Sequence, residues 1–326
     1  MSDPRHVAGP SPGEFELIRW VRERSAGNSR VVQGIGDDAA VLDLAVGSRL
    51  VVTTDMLMEG RHFTLEEAGP VAVGHKALAV NLSDLAAMAA RPVAGVVAVA
   101  LPRRIASDVV QGLHEGLDAL ARTFGVAMVG GDTNAWDGPL VLSLTLLGET
   151  TDRGPVYRSG ARPGDVILIT GPLGGSLLGR HLRPVPRVRE ALTLHEAVPI
   201  RSMIDVSDGL ASDLGHILEE SGGLGAWIDA EAVPIHEDAE ALSRRDGRTA
   251  LDHALNDGED FELCLTLDPE AARLVTSSAP PGVRLFQIGE VTAEPGLWLL
   301  DGSGGRSPLV ASGFDHLRDR STGSES

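Results

Sequence analysis

Acidic residues recur in this chain beside glycine, serine or threonine at the ends of apolar runs. They occur in Gly34-Ile35-Gly36-Asp37-Asp38, Thr53-Thr54-Asp55, Asn81-Leu82-Ser83-Asp84, Gly130-Gly131-Asp132-Thr133, Asp205-Val206-Ser207-Asp208-Gly209 and Gly258-Glu259-Asp260. Adjacent carboxylates repel each other, and an Asp such as Asp84, set among Leu82, Leu85, Ala86 and Met88, is costly to bury without a positive partner. Any one of these stretches is more often a solvated turn. Their recurrence points to one site for several hard cations, which carboxylate, hydroxyl and carbonyl oxygens hold well.

What is missing narrows the chemistry. The chain has a single lysine, Lys76, among its 28 basic residues. A P-loop needs Gly-Lys-Ser/Thr, but Lys76 is followed by Ala77, and no His-Arg-Asp loop of a protein kinase is present. Any bound phosphate must therefore be held by metals, backbone N–H groups and arginine. The glycine loop Gly171-Pro172-Leu173-Gly174-Gly175-Ser176, placed ahead of a predicted helix, can offer such N–H groups, although glycine loops serve many turns. The spacing of an EF-hand is met neither after Asp205 nor over 252–262. A lone histidine such as His62, in the loop from Met56 to Phe63, is by itself more often structural or solvated than a ligand contact.

With 326 residues, 43% of them hydrophobic, the chain is long enough for a substantial core and two domains of ordinary size. A formal charge of −18 argues against nucleic acid as a partner, because phosphate backbones need a basic footprint. The single cysteine, Cys264, lies in the apolar run Phe261-Glu262-Leu263-Cys264-Leu265 and reads as core, so an internal disulfide and a cysteine metal cluster are excluded. No signal-like apolar region opens the chain, and the clean apolar run Val93 to Leu101 is too short to cross a bilayer, so a cytoplasmic protein is expected.

The elements that must position these acids follow from periodicity. Helices are expected over 14–28, 74–90, 105–124, 188–202 and 210–220, with Pro92 ending the second. Strands are expected at Ala39–Leu42, Leu50–Thr54, Val93–Leu101, Val126–Val129, Leu140–Gly148, Val166–Thr170, and near 261–267, 283–288 and 296–300. Asp55 and Asp132 then fall where strands open into loops, a common place for ligands. The turn-rich stretch after Thr150 marks a boundary between domains 1–150 and 151–326, and His181–Arg187 reads as a stiff linker. The tail after Arg318 has the composition of a disordered segment.

Taken together, the motifs resemble the thiamine-monophosphate kinases, of the superfamily that includes aminoimidazole ribonucleotide synthetase. The resemblance is carried by GEFELI at 13–18, GIGDDAA at 34–40, TTDMLMEGRHF at 53–63, KALAVNLSDLAAMAA at 76–90 and GGDT at 130–133. It continues with RSGARPGD at 158–165, HLRPVPR at 181–187, IDVSDGLASDLGHI at 204–217 and GEDFEL at 258–263. It implies an α/β (α+β) fold of two domains: an N-terminal mixed sheet with helices that dimerises into a barrel, and a C-terminal mixed sheet flanked by helices. It also implies direct transfer of the γ-phosphoryl of ATP to thiamine monophosphate, assisted by several magnesium ions.

Carried over residue by residue, the resemblance makes Asp38, Thr53, Thr54, Asp55, Asp84, Asp132, Asp205 and Asp208 metal-binding positions. Gly131, Asp132, Arg158 and Ser207 become nucleotide contacts, and His62 and Glu259 substrate contacts. Two departures stand out. The segment Ser176–Arg180 is short, so the helix after the glycine loop should be truncated. Ala311 stands where the family carries an aromatic ahead of Gly313-Phe314-Asp315-His316, with Phe314 or Trp298 as alternative stacking faces. Two other readings remain: another ATP-dependent synthetase of the superfamily, or a catalytically silent nucleotide- or thiamine-phosphate-binding protein. Cys264 supplies neither the N-terminal nor the C-terminal cysteine that two of the superfamily's other chemistries need.

Overall fold

The structure, a computed structural model, describes residues 14–25, 27–35 and 40–310. Asp38, Ala311 and Phe314, and the tail expected to be disordered, lie outside the described residues. The chain divides into two compact units, Met1–Pro155 with His181–Leu192, and Val156–Arg180 with Thr193–Ser326. The stretch read as a linker thus belongs to the first unit: Pro184 O lies 3.0 Å from His75 Nε2, and Leu182 packs on the core around Leu57, Phe63 and Val73.

The first unit runs α1 (Glu14–Arg24), β1 (Val31–Gln33), β2 (Val41–Leu42), β3 (Leu50–Met58), α2 (Leu65–Ala87), β4 (Ala90–Pro102), α3 (Ser107–Phe124), β5 (Ala127–Trp136) and β6 (Val141–Thr150). Its main sheet has the order β3-β6-β4-β5, antiparallel except for the parallel pair β4–β5. Helices α2 and α3 meet backbone to backbone through glycine. A Cβ on Gly74 would stand 1.9 Å from Leu113 O, and one on Gly116 1.9 Å from Val71 O. That approach lets α2 be buried along most of its length and packs Val73 and Ala77 with Leu113 against Leu57 and Leu142 of the sheet.

Several boundaries differ from the sequence-based expectation. β3 continues past Asp55 because its ladder to β6 does, from Asp55↔Leu144 to Met58↔Val141. Likewise Gly130-Gly131-Asp132-Thr133 lies within β5, with Val97↔Gly131 and Ala98↔Asp132 as partners on β4. α2 ends before Pro92: Ala89 takes a left-handed φ of 50°, and Pro92 already stands in β4, at an irregularity of its pairing with β6. α1 stops at Arg24, and Asn28 instead donates from Nδ2 to Val93 O and Gly125 O, at 2.7 and 2.9 Å.

The second unit runs β7 (Val166–Ile169), two 3₁₀ turns (Ser176–Leu178 and Arg180–Leu182, the second crossing into the first unit), α4 (Val188–Ala197, which belongs to the first unit as far as Leu192 and to the second from Thr193), β8 (Ser202–Asp205), α5 (Leu210–Glu220) and β9 (Gly225–Asp229). It continues with α6 (Glu237–Asp246), α7 (Ala250–Asn256), β10 (Leu263–Leu267), α8 (Pro269–Ser277), β11 (Phe286–Thr292), β12 (Gly296–Leu300) and β13 (Arg306–Pro308). The seven-stranded sheet has the order β13-β12-β9-β11-β7-β10-β8, with β9 and β12 parallel and the other pairs antiparallel. Ile167, Ile169, Ile204, Leu214, Ile217, Ile228 and Ile288 form its core, and Cys264 is buried among them. Burial pushes the Cys264 thiol far above its ordinary value, as expected of a core residue. The helix after the glycine loop is indeed truncated, to the turn Ser176–Leu178.

Candidate functional site

Strand alternation sorts the acids of the first unit onto two faces. Along β3, Val51 and Leu57 are buried and Thr53 and Asp55 half-buried, whereas Leu50, Val52, Thr54, Met56 and Met58 are exposed. Thr53 and Asp55 therefore share the face covered by α2, and Thr53 Oγ1 donates to Asp84 Oδ2 on that helix. Thr54 points to the open face, where Thr145 Oγ1 hydrogen bonds to Thr54 Oγ1 at 2.9 Å. On the same open face, a shallow hollow is lined by Val96, Val97, Ala98, Gly131, Asp132, Ser143 and Thr145. Asn134 Nδ2 donates to Asp132 Oδ2 at 2.9 Å at its edge. Glycine is required at 131, since a Cβ there would stand 2.1 Å from Val97 O.

Asp55 and Asp132 thus lie on opposite faces and on the two outer strands of the sheet, roughly 14 Å apart from strand spacing alone. Within one chain the structure brings Thr53 to Asp84 and leaves Thr54 and Asp132 on the other side. Among the described residues, no group of three or more His, Cys, Asp or Glu side chains is placed to hold a metal ion. The donor set is nevertheless made of hard oxygens, the kind that magnesium takes.

His62 closes a tight turn after β3. Met58 N donates to His62 Nδ1 at 3.0 Å, which puts the proton of the neutral ring on Nε2 and makes that atom a donor. His62 O accepts from Lys76 Nζ at 2.9 Å, and Glu59 braces the turn by accepting from Leu65 N and Leu140 N. The link to Lys76 escaped the sequence reading, although a lone lysine in an apolar helix was a signal.

In the second unit, β8 delivers Asp205 into the loop before α5. Asp213, in the first turn of α5, accepts from both Ser207 N and Asp208 N at 3.0 Å and fixes that loop. Burial, and next the charge of Asp205, push the Asp213 carboxyl up to about 8. The loop Gly258–Phe261 joins the same region: Glu259 N donates to Ser207 O at 2.7 Å and Phe261 N to Val206 O at 2.8 Å. The structure therefore brings Asp205, Ser207, Asp208 and Glu259 together, while Arg158 is exposed on the segment ahead of β7.

Residues 36–150 match the family model for the AIR synthase related protein, N-terminal domain, and residues 162–300 match its C-terminal domain. A thiamine-monophosphate kinase from Rhodopirellula baltica is 41% identical over 310 residues, 93% of this chain and 97% of that protein. The crystal structure of thiamine-monophosphate kinase from Stenotrophomonas maltophilia K279a is similar with a TM-score of 0.75 and 36% identity, covering 88% of this chain and 96% of that one. A solved structure of AaThiL complexed with AMPPCP and TMP is similar with a TM-score of 0.73 and 26% identity, covering 93% and 97% of the two chains. On this full-length likeness, carried by both domains and by the ordered motifs around the site, the chain belongs to the thiamine-monophosphate kinase family.

Proposed function

We propose that this chain transfers the γ-phosphoryl group of ATP to thiamine monophosphate, giving thiamine diphosphate and ADP. The observation that carries the reading is identity of 41% with a thiamine-monophosphate kinase across 93% of the chain. The binding of AMPPCP and TMP by a relative of the same fold supports the two substrates.

Magnesium, when bound, would neutralise phosphate charge, and Asp38, Thr53, Thr54, Asp55, Asp84, Asp132, Asp205 and Asp208 have the donor chemistry to hold it. The protein's own part is alignment. Gly131 lets β5 come close to a ligand in the hollow beside Asp132, and Arg158 and Ser207 contact the nucleotide. His62 Nε2 donates toward the substrate, its tautomer set by Met58 N. Glu259 supplies an acceptor and a negative charge for cationic thiamine. No general base is needed, because a phosphate monoester with a second ionisation near pH 6 already carries its nucleophilic oxygen deprotonated at neutral pH.

The same reading includes a homodimer. The open face of the first unit exposes Leu50, Val52, Met56 and Val96 beside the polar hollow, a surface that a second sheet would cover to form a barrel. No helix among the described residues is long and apolar enough to cross a membrane, and a cytoplasmic location belongs to the proposal.

The test is incubation with ATP, magnesium and thiamine monophosphate. Thiamine diphosphate and ADP in equal amounts support the kinase. Binding of both substrates without turnover would favour a silent binding protein, and turnover only with a different acceptor would favour another synthetase of the superfamily. A chiral γ-phosphate should arrive inverted; retention, or labelled protein trapped during turnover, would overturn direct transfer.

A further inference from the structure

The glycine loop Gly171–Ser176 has the composition of a phosphate cradle, but its Gly174 and Gly175 amides are already committed to carboxylates of the chain, and its Leu173 amide to Pro234 O. Gly174 N donates to Asp260 Oδ2 at 2.8 Å, and Gly175 N to Asp257 Oδ2 at 3.1 Å. Ser176 Oγ donates to Gly258 O at 2.6 Å. Arg180 closes the ring, its Nη2 donating to both Gly174 O and Asp260 Oδ1 at 2.9 Å. The Asp260 side chain is wholly buried, at 0% exposure. The loop can press this close only because Gly174 has a φ of +90° and no Cβ; one added there would stand 2.6 Å from Ala254 N.

On either side of Asp260 the backbone is strained. Glu259 has a φ of 63° and Phe261 a φ of 53°, in the left-handed region that side chains other than glycine rarely adopt. Such residues persist only where their surroundings over-determine them. Here the restraints come from two sides. The amides of Glu259 and Phe261 are tied to Ser207 O and Val206 O, and Gly258 packs so tightly that a Cβ would stand 2.5 Å from Ser207 O. From the other side, the Asp260 side chain and the Gly258 carbonyl reach the glycine loop, next to the Asp257 carboxylate.

We propose that Asp260 is a positioning residue that, by gripping the Gly174 amide and the Arg180 guanidinium, holds Glu259 in the left-handed conformation from which it meets the substrate. The glycine loop is then a clamp for the substrate-binding loop and not a phosphate cradle. This rests on the reading of Glu259 as a substrate contact. On the nucleotide side Ser207 and Asp208 have a second anchor, since both amides donate to Asp213.

The experiment is steady-state kinetics on Asp260→Asn, Arg180→Met, Glu259→Gln and the double variant Asp260→Asn/Glu259→Gln, with thermal unfolding to confirm that each is folded. Asp260→Asn and Arg180→Met should each raise KM for thiamine monophosphate about tenfold, the size of one lost charged hydrogen bond, and leave KM for ATP within about twofold. The double variant should be no worse than Glu259→Gln within about twofold, because contacts that act through one another do not add. If Asp260→Asn does not fold, Arg180→Met decides alone, since it leaves the Gly174–Asp260 bond in place. A normal KM in folded Arg180→Met and Asp260→Asn, or a strictly additive double variant, overturns the clamp while leaving the role of Glu259 standing. An unchanged KM in Glu259→Gln removes the substrate role of Glu259 and the clamp with it.

Discussion

Lys76 Nζ donates to the carbonyl oxygen of His62 at 2.9 Å, and the lysine itself is 0% exposed within α2. The only lysine in the chain thus holds a turn, from a sequence context unlike that of a P-loop lysine. A buried ammonium is costly unless its hydrogen bonds are met, so its contact with the His62 turn is one that the fold has reason to keep.

Lys76→Met should therefore loosen that turn. A hydrogen bond from a charged donor is worth about 1.5–3 kcal/mol, and the expected result is a loss of stability of about that size together with a raised KM for thiamine monophosphate. Chemical denaturation and substrate-saturation curves on one preparation check both. Full stability with normal saturation would show that the His62 turn stands without the lysine.

Asp55→Asn and Asp132→Asn should each lower turnover by about a hundredfold or more with little unfolding, since each removes charge from a ligand position while preserving shape. Asp132 is exposed and Asp55 only half-buried, so neither change should disturb the core. Near-normal turnover of both at saturating magnesium would sink the metal reading. The two variants also probe opposite faces of one sheet, so equal losses would mean that both faces serve the reaction.

Much of this arrangement was legible in the residues. Apolar alternation located β3, β4, β5 and β6 and the helix Leu210–Glu220 at its observed bounds. What it could not tell was where β3 and β5 stop. Thr-Thr-Asp and Gly-Gly-Asp-Thr have turn chemistry, but ladder partners on β6 and β4 keep them extended, and the residues that decide this are far away in sequence. The consequence is large, because an acid inside a strand is committed to one face, and Asp55 and Asp132 are committed to different ones. The glycine loop shows the same limit. Composition announces unpaired amides, but not that the partner of Gly174 is a carboxylate 86 residues later.

Asp260 also predicts a pH dependence of stability. Burial pushes its carboxyl up to about 7, against the opposing pull of the Arg180 guanidinium and the Gly174 amide. The folded state then binds a proton more tightly than the unfolded chain, whose Asp titrates near 4, so stability is full below about pH 4 and is lost as pH rises toward 7. Within that window the loss is at most about 1.4 kcal/mol per pH unit. Asp260→Asn should flatten this slope. If unfolding free energies measured from pH 4.5 to 8 give the same slope for both proteins, Asp260 is ionised throughout and the clamp is a plain ion pair.

Ala311 lies outside the described residues, at a position where the sequence resemblance leads one to expect an aromatic. Thiamine is a cation whose rings suit stacking, and alanine offers no face. A missing aromatic or cation–π contact is worth about 0.5–2 kcal/mol, which corresponds to binding weaker by a few-fold to about thirtyfold. Two residues could compensate, Phe314 and Trp298, and the structure weighs against the second: Arg306 lies 3.9 Å from the centroid of the Trp298 ring and occupies one of its faces, on the hairpin pair β12–β13. Ala311→Trp should therefore lower KM for thiamine monophosphate and leave KM for ATP nearly unchanged, whereas Arg306→Ala, which bares the Trp298 ring, should change neither. If Ala311→Trp has no effect and Phe314→Ala alone weakens substrate binding, Phe314 already provides the stacking surface and Ala311 is no deficit. If Arg306→Ala tightens substrate binding, Trp298 is the surface that thiamine uses, and Arg306 competes with the substrate for it.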